Sequence, residues 1–255
     1  MWKMKSNSPR GVLSSAAALA TALCLTLTGA GGDCIAGDCF ARELSGTVVR
    51  RMENDEKKIA LTFDDGPHPT RTQEILEILE EYGIRATFFV IGENVARYPE
   101  ELEAVRAAGH EIGNHTYHHP HLKETDPGRM ESELLSTEKL LFEQHECQPN
   151  LFRPPGGLFD GQSEAIAARY GYTVVLWDVD TRDWAHTPPA DIAANVLHNI
   201  RPGSIILCHD YIWKDSPTPE ALRLFLPELL REGYRFVTVS ELIAAGPPAD
   251  SRPPE

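Results

Sequence analysis

Two carboxylates stand side by side at Asp64 and Asp65, after a short apolar run (Ile59, Ala60, Leu61) and just before Gly66 and Pro67. Adjacent anions repel, so folding alone does not favour the pair. A cation, a metal ion or a shared proton has to stabilise it. The plain alternative is a polar turn after a strand, since Asp, Gly and Pro are the usual turn residues. Two histidines, His115 and His119, lie four residues apart. On one helical turn that spacing puts both imidazoles on the same side, where they suit a shared cation. A carboxylate from another strand would complete three protein ligands and leave positions for water and substrate. A histidine-rich surface turn is the competing reading, and it is the one that fits His118 and His121.

Positioning such groups requires a scaffold. Short apolar runs at 58–63, 86–91, 110–113, 150–153, 172–177, 204–208 and 235–238 read as strands. Segments 70–82, 99–108, 127–144, 161–170, 189–200, 218–232 and 239–245 read as helices, the first with Ile75, Leu76, Ile78 and Leu79 on one face and a stop at Gly83. The alternation predicts an α/β protein with a parallel sheet and outer helices. About seven such units predict a deformed, incomplete (β/α) barrel rather than an open nucleotide-binding sheet. No Gly-x-Gly-x-x-Gly follows a strand, and no P-loop is present. In a β/α barrel the reactive residues gather at the C-terminal strand ends. Ionisable groups follow five of the predicted strands: Asp64 and Asp65, the 114–121 histidine run, Arg153, the 178–184 aspartates, and His209 with Asp210.

The 255 residues carry a formal charge of −14, which argues against a phosphate-binding basic face and hence against nucleic acid. Residues 1–41 follow the export pattern: Lys3, Lys5 and Arg10, then an uncharged apolar run from Gly11 to Leu27, then small residues. The segment reads as a signal peptide, or else an N-terminal membrane anchor, and places the protein outside the cell or in its envelope or periplasm. Residues 42–56 read as a linker, 57–245 as the folded domain and 246–255 as a disordered Pro-rich tail. Five cysteines show no spacing that demands a disulfide framework or a zinc finger.

Read together and in order, Thr62-Phe63-Asp64-Asp65-Gly66-Pro67, His115-Thr116-x-x-His119, Arg153-Pro154-Pro155, Asp180-x-x-Asp183-Trp184 and Leu207-x-His209 closely resemble the five motifs of polysaccharide deacetylases, the NodB-homology group of carbohydrate esterase family 4. The resemblance covers roughly residues 57–245 and implies the NodB-like barrel. It implies that Asp65, His115 and His119 bind a divalent metal, zinc first, with cobalt, nickel or manganese as alternatives. Asp64 would be the general base and His209 the general acid. Arg153 would pair with Asp64, and Asp183 with His209. The backbone N–H at Gly156 would stabilise the oxyanion, while Trp184 and Leu207 would wall the acetyl methyl.

One departure stands out. The third motif usually continues with an aromatic or basic residue, and here Gly156 and Gly157 follow Pro155. The backbone donor survives, but one wall of the groove loses its side chain. The implied activity is removal of acetyl groups from an N-acetylated polysaccharide by a monomeric enzyme, with peptidoglycan first and chitin-type oligomers next. The rivals are an O-acetyl esterase of the xylan type, a non-catalytic glycan-binding protein that retains metal, and a hydrolase of a different C–N bond in a small molecule. Tyr211 and Trp213 are further candidates for a sugar groove.

Overall fold

A computed structural model of the chain describes residues 47–211 and 215–249. The expected signal segment, residues 42–46 of the linker, residues 250–255 of the tail, and Trp213 lie outside the described residues. Among the described residues there are nine strands: β1 (Val48–Val49), β2 (Lys58–Asp64), β3 (Thr87–Val90), β4 (Glu111–Asn114), β5 (Leu151–Phe152), β6 (Thr173–Val175), β7 (Val179–Asp180), β8 (Ile205–His209) and β9 (Arg235–Val237). Eight α-helices among the described residues accompany them: α1 (Arg71–Tyr82), α2 (Gly92–Arg97), α3 (Pro99–Ala107), α4 (Pro127–His145), α5 (Gly161–Arg169), α6 (Pro189–Asn199), α7 (Thr218–Arg231) and α8 (Val239–Ala244).

The strands form one sheet in the order β1-β6-β5-β4-β3-β2-β8-β7, with β9 also on β2, and the strand pairings are parallel. β6 and β7 sit near opposite ends of this order, yet only residues 176–178 separate them. A chain spans at most about 3.5 Å per residue, so the sheet must curl until those ends approach. The result is the incomplete barrel expected from the sequence, with two strands and α2 added to the expected elements.

Strand alternation divides the core. Ile59, Leu61 and Phe63 of β2 pack outward against the helices, with Phe88, Val90, Ile206 and Cys208. Ala60 belongs to a second, inner cluster with Phe89, Leu151, Val175 and Ile205. Because side chains alternate, Thr62 and Asp64 face the same interior as Ala60. The same period turns Leu207 and His209 inward after Ile205, and Arg153 inward after Leu151. Local signals set the helix ends. α1 stops at Gly83, whose φ of 63° lets its N–H cap the last turn. Asp126 and Asp160 cap α4 and α5, and Thr238 with Glu241 forms a capping box on α8.

Two boundaries differ from expectation. The segment read as a linker supplies β1, which pairs with β6, and Val49 and Met52 are fully buried. Residues 246–249 of the expected tail hydrogen-bond to it: Glu53 N–H donates to Pro247 O, and Ala249 N–H to Arg51 O. Burying two apolar side chains outweighs the polar look of the segment. Cys147 and Cys208 form no disulfide with each other.

Candidate active site

Asp64 ends β2, and its carboxylate is nearly sealed from solvent, with 4% of the side chain exposed. Arg153 lies wholly buried beneath it and donates to Asp64 Oδ1 at 2.7 Å. The other guanidinium donors reach Thr62 Oγ1, Val175 O and Leu176 O, and the plane lies 4.1 Å over the Phe89 ring. Burial lowers the Arg153 pKa, and the Asp64 charge and hydrogen bond oppose that shift. A buried ion pair persists when its remaining donors are also satisfied, and this one meets that condition.

Asp65 follows in the left-handed region, at φ 77°. Its Oδ1 is buried, accepts no hydrogen bond, and lies 3.4 Å from both His115 Nε2 and His119 Nε2. His115 Nδ1 sits 2.7 Å from the Arg153 carbonyl, which can only accept. The proton is therefore on Nδ1, and Nε2 presents its lone pair to the carboxylates. The three donor atoms lie within 4.8 Å of one another. Metal bonds of about 2.1 Å at tetrahedral angles put donors roughly 3.4 Å apart, so a first-row dication fits the gap and satisfies the orphaned oxygen. Burial raises the Asp65 carboxyl, but the facing histidines, His115 first and then His209 and His119, hold it at about 2. An ionised carboxylate is the form a metal requires.

The two histidines do not share a helical turn, contrary to the expectation from their spacing. His115 follows β4 directly, and Thr116 and His119 adopt φ of 71° and 55°. The loop is folded by its own polar groups: Thr116 N–H donates to Asn114 Oδ1, and His119 N–H to Thr116 Oγ1. Those bonds compete with a helical ladder and win.

His209 ends β8, in register with Asp64 on the neighbouring strand. Its Nδ1 is 2.7 Å from Asp183 Oδ1, and its backbone N–H donates to Asp183 Oδ2. Asp183 is fully buried and also accepts from Thr218 Oγ1 and Trp184 N–H. Burial pulls the imidazole down, but the Asp183 hydrogen bond and charge, with Asp64 and Asp65, raise it to about 9. One carboxylate beside an arginine and one imidazolium beside an aspartate thus flank the three-ligand cluster. Such an arrangement can take a proton on one side and deliver one on the other.

The polysaccharide deacetylase family profile matches residues 51–175. A peptidoglycan-N-acetylglucosamine deacetylase of Bacillus cereus is 44% identical over 203 residues, which is 79% of this chain and 95% of that protein. The chain belongs to the polysaccharide deacetylases. The crystal structure of a peptidoglycan N-acetylglucosamine deacetylase in complex with a naphthalenyl-N-oxidanyl-benzamide superposes with a TM-score of 0.76 at 32% identity, covering 81% of this chain and 97% of that one. A family 4 acetyl xylan esterase from Clostridium thermocellum, in complex with a cobalt ion, gives 0.68 at 32% identity over 74% of this chain and 91% of that one. Other relatives are named chitooligosaccharide and peptidoglycan-N-acetylmuramic acid deacetylases. The protein is an enzyme that hydrolyses amide bonds, and its family uses a divalent metal.

The deacetylase cavity is about 390 Å³. Asp64, Asp65, His115, His119, Gly156, Trp184, Leu207 and His209 line it, so it gathers the expected metal, base, acid and wall positions. Arg153 and Asp183 stand behind it. Gly156 has φ of 61°, and a Cβ there would meet only Leu158, at 3.9 Å. Gly157 is different: a Cβ would press within 2.7 Å of Trp177, so the indole requires glycine there. Sequence reasoning missed Trp177, which lines the cavity and lies 5.5 Å from the Arg153 guanidinium. It also missed Glu133. That buried carboxylate accepts Tyr117 N–H and His118 N–H and so grips the histidine loop from α4. Only its place on the inner face of an amphipathic helix could have signalled it. Asp180 lines the cavity, whereas Asp178 is structural, accepting from Ile205 N–H and Ser204 Oγ. Tyr211 lines an adjoining cavity of about 280 Å³ with Asn94, Arg97 and His118; the two cavities share Asp65 and His119.

Proposed function

We propose that this deacetylase removes N-acetyl groups from the amino sugars of peptidoglycan, with chitin-type oligomers as the next candidate substrate. The observation that carries the acid and base assignment is the pair of separate charge partners, Arg153 at 2.7 Å from Asp64 and Asp183 at 2.7 Å from His209. Asp65, His115 and His119 hold a divalent metal, zinc foremost. When bound, that metal supplies Lewis-acid polarisation and makes water acidic enough to lose a proton near neutrality.

Asp64 takes that proton at its cavity-facing oxygen, while Arg153 keeps the carboxylate oriented. A C–O bond forms at the acetyl carbonyl and the Gly156 N–H stabilises the oxyanion. His209 then gives its proton to the sugar nitrogen as the C–N bond breaks, leaving acetate and a free amine. Trp184, Leu207 and Trp177 exclude water around the methyl. Amines are poor leaving groups without a proton, and an imidazole held near 9 still carries one at neutral pH. That supports amide over ester cleavage. The adjoining cavity across Asp65 and His119 supports an extended glycan rather than a small molecule. The N-terminal segment supports export, and culture fractionation tests it. Among the described residues no helix is long and apolar enough to cross a membrane.

Acetate release across peptidoglycan, chitooligosaccharides and acetylxylan, with zinc or cobalt added, tests the reading. Release from the amino-sugar polymers is expected, lost on chelation and restored by metal. Asp64→Asn should retain metal and glycan binding and lose turnover. Release confined to acetylxylan would establish the esterase reading instead.

A further inference from the structure

The residue after the catalytic histidine has no part in the mechanism above, yet it is buried against the catalytic turn. Asp210 is 1% exposed. Its Oδ2 accepts from Thr72 Oγ1 at 2.6 Å, and its backbone N–H donates to Asp64 O at 3.2 Å. A Cβ built on Gly66 would fall 2.1 Å from that same Oδ2, so the carboxyl packs directly on the Gly66 backbone. Thr72 is also buried, in the first turn of α1, and its hydroxyl accepts His68 N–H at 2.8 Å. One hydroxyl therefore joins the two segments. It takes a hydrogen bond from the chain leaving the Asp64–Asp65 turn and gives one to the chain leaving β8. The neighbouring residues repeat the tie, because the Tyr211 ring stands edge-on to His68 with centroids 4.8 Å apart.

We propose that Asp210 and Thr72 form a positioning clamp that fixes the turn bearing Asp64 and Asp65 relative to the strand end bearing His209. The clamp touches the turn at three places, Asp64 O, Gly66 and His68 N–H. Neither residue lines the cavity. Gly66 is required because the clamp leaves no room for a side chain. Asp65 sits in the left-handed region, a conformation that is strained for a non-glycine residue and persists only where surrounding contacts enforce it. Asp210 and Thr72 supply that enforcement from the side away from the substrate. Oδ1 of Asp210 is buried without a partner. Burial raises the carboxyl to about 7, with the Thr72 hydroxyl opposing and Asp65 adding to the shift, so the group does not press a full third anion on the pair.

The inference rests on the deacetylase reading for its rate measurements, but metal binding tests it separately. Thr72→Val removes the hydroxyl at nearly constant volume. Metal-stripped full-length protein is titrated with cobalt(II) alone and followed by its visible absorption, and turnover is measured on a chitooligosaccharide. Expected are an approximately tenfold weaker cobalt(II) affinity and an approximately tenfold lower kcat with KM unchanged, in the range seen when a metal site's outer partners are lost. Thr72→Ser should restore both to within about twofold. Asp210→Ala should show the same split, and the double variant should be no worse than Asp210→Ala alone. A folded Thr72→Val protein with a lower Tm but wild-type cobalt(II) affinity and kcat would overturn the proposal, because a purely structural hydroxyl gives that result. If the wild-type protein releases no acetate, the functional reading fails and the cobalt(II) titration still decides the clamp.

Discussion

In the proposed mechanism Asp183 and Arg153 would act on different halves of the reaction, and both are fully buried. Arg153 is the larger risk to folding, because removing one partner of a buried pair costs about 3–5 kcal/mol. Asp183 offers the cleaner kinetic test. It raises His209 towards about 9, above the ordinary histidine value, so the protonated form is present through neutral pH and is lost as pH rises through about 9. The stability the pair contributes has the same sign. It is complete below the unfolded value near 6.5 and disappears as pH climbs through about 9. A bound dication weakens the share from Asp64 and Asp65, leaving Asp183 as the main support. Asp183→Asn should therefore move the alkaline limb of kcat to lower pH and reduce the plateau by about tenfold to a hundredfold. A stationary limb in the pH–rate profile would remove His209 from the acid role. These residues were legible because each follows an apolar strand: Asp64 after Leu61 and Phe63, Arg153 after Leu151 and Phe152, His209 after Ile205 and Ile206. Asp210 stood out by the same rule, but its tie to Thr72 did not, because Thr72 lies 138 residues away on a helix and only the fold joins them.

The histidine loop is an element with no regular structure of its own. It hangs between β4 and α4, and Glu133 holds its middle through two backbone N–H groups and the His118 ring. Glu133→Ala should leave α4 intact, since alanine favours a helix. It should weaken metal affinity about tenfold to a hundredfold. Calorimetric titration of metal into the stripped variant measures this, and unchanged affinity would assign the loop's order to Asn114 and Thr116 alone. The long elements were readable from apolar periodicity, as α1 and α7 illustrate. β7 was not, because two residues, Val179 and Asp180, carry no period. The helical turn expected from the His115–His119 spacing failed for a related reason: sequence spacing records distance along the chain, while the side chains of Asn114 and Thr116 decide its path.

At the scale of the whole molecule, one edge of the sheet is completed by a segment that looks dispensable. Val48 and Val49 lie among charged residues and read as a linker, yet β1 covers the free edge of β6 and buries Val49 and Met52. A protein beginning at residue 57 should lose roughly 1.5–3 kcal/mol for each of those side chains, and a urea midpoint compared with a protein beginning at residue 47 measures it. Equal midpoints would show that β1 is peripheral. On the outer surface the mouth of the cavity is uneven. Trp184 stands on the rim with 52% of its surface exposed, while position 156 presents only backbone, with Leu158 as its nearest neighbour at 3.9 Å. For inhibitor design this asymmetry sets a direction. A chelating warhead anchored on a metal held, as proposed, by Asp65, His115 and His119 would carry its bulk towards position 156, and drug selectivity can be sought where this protein has no side chain at all.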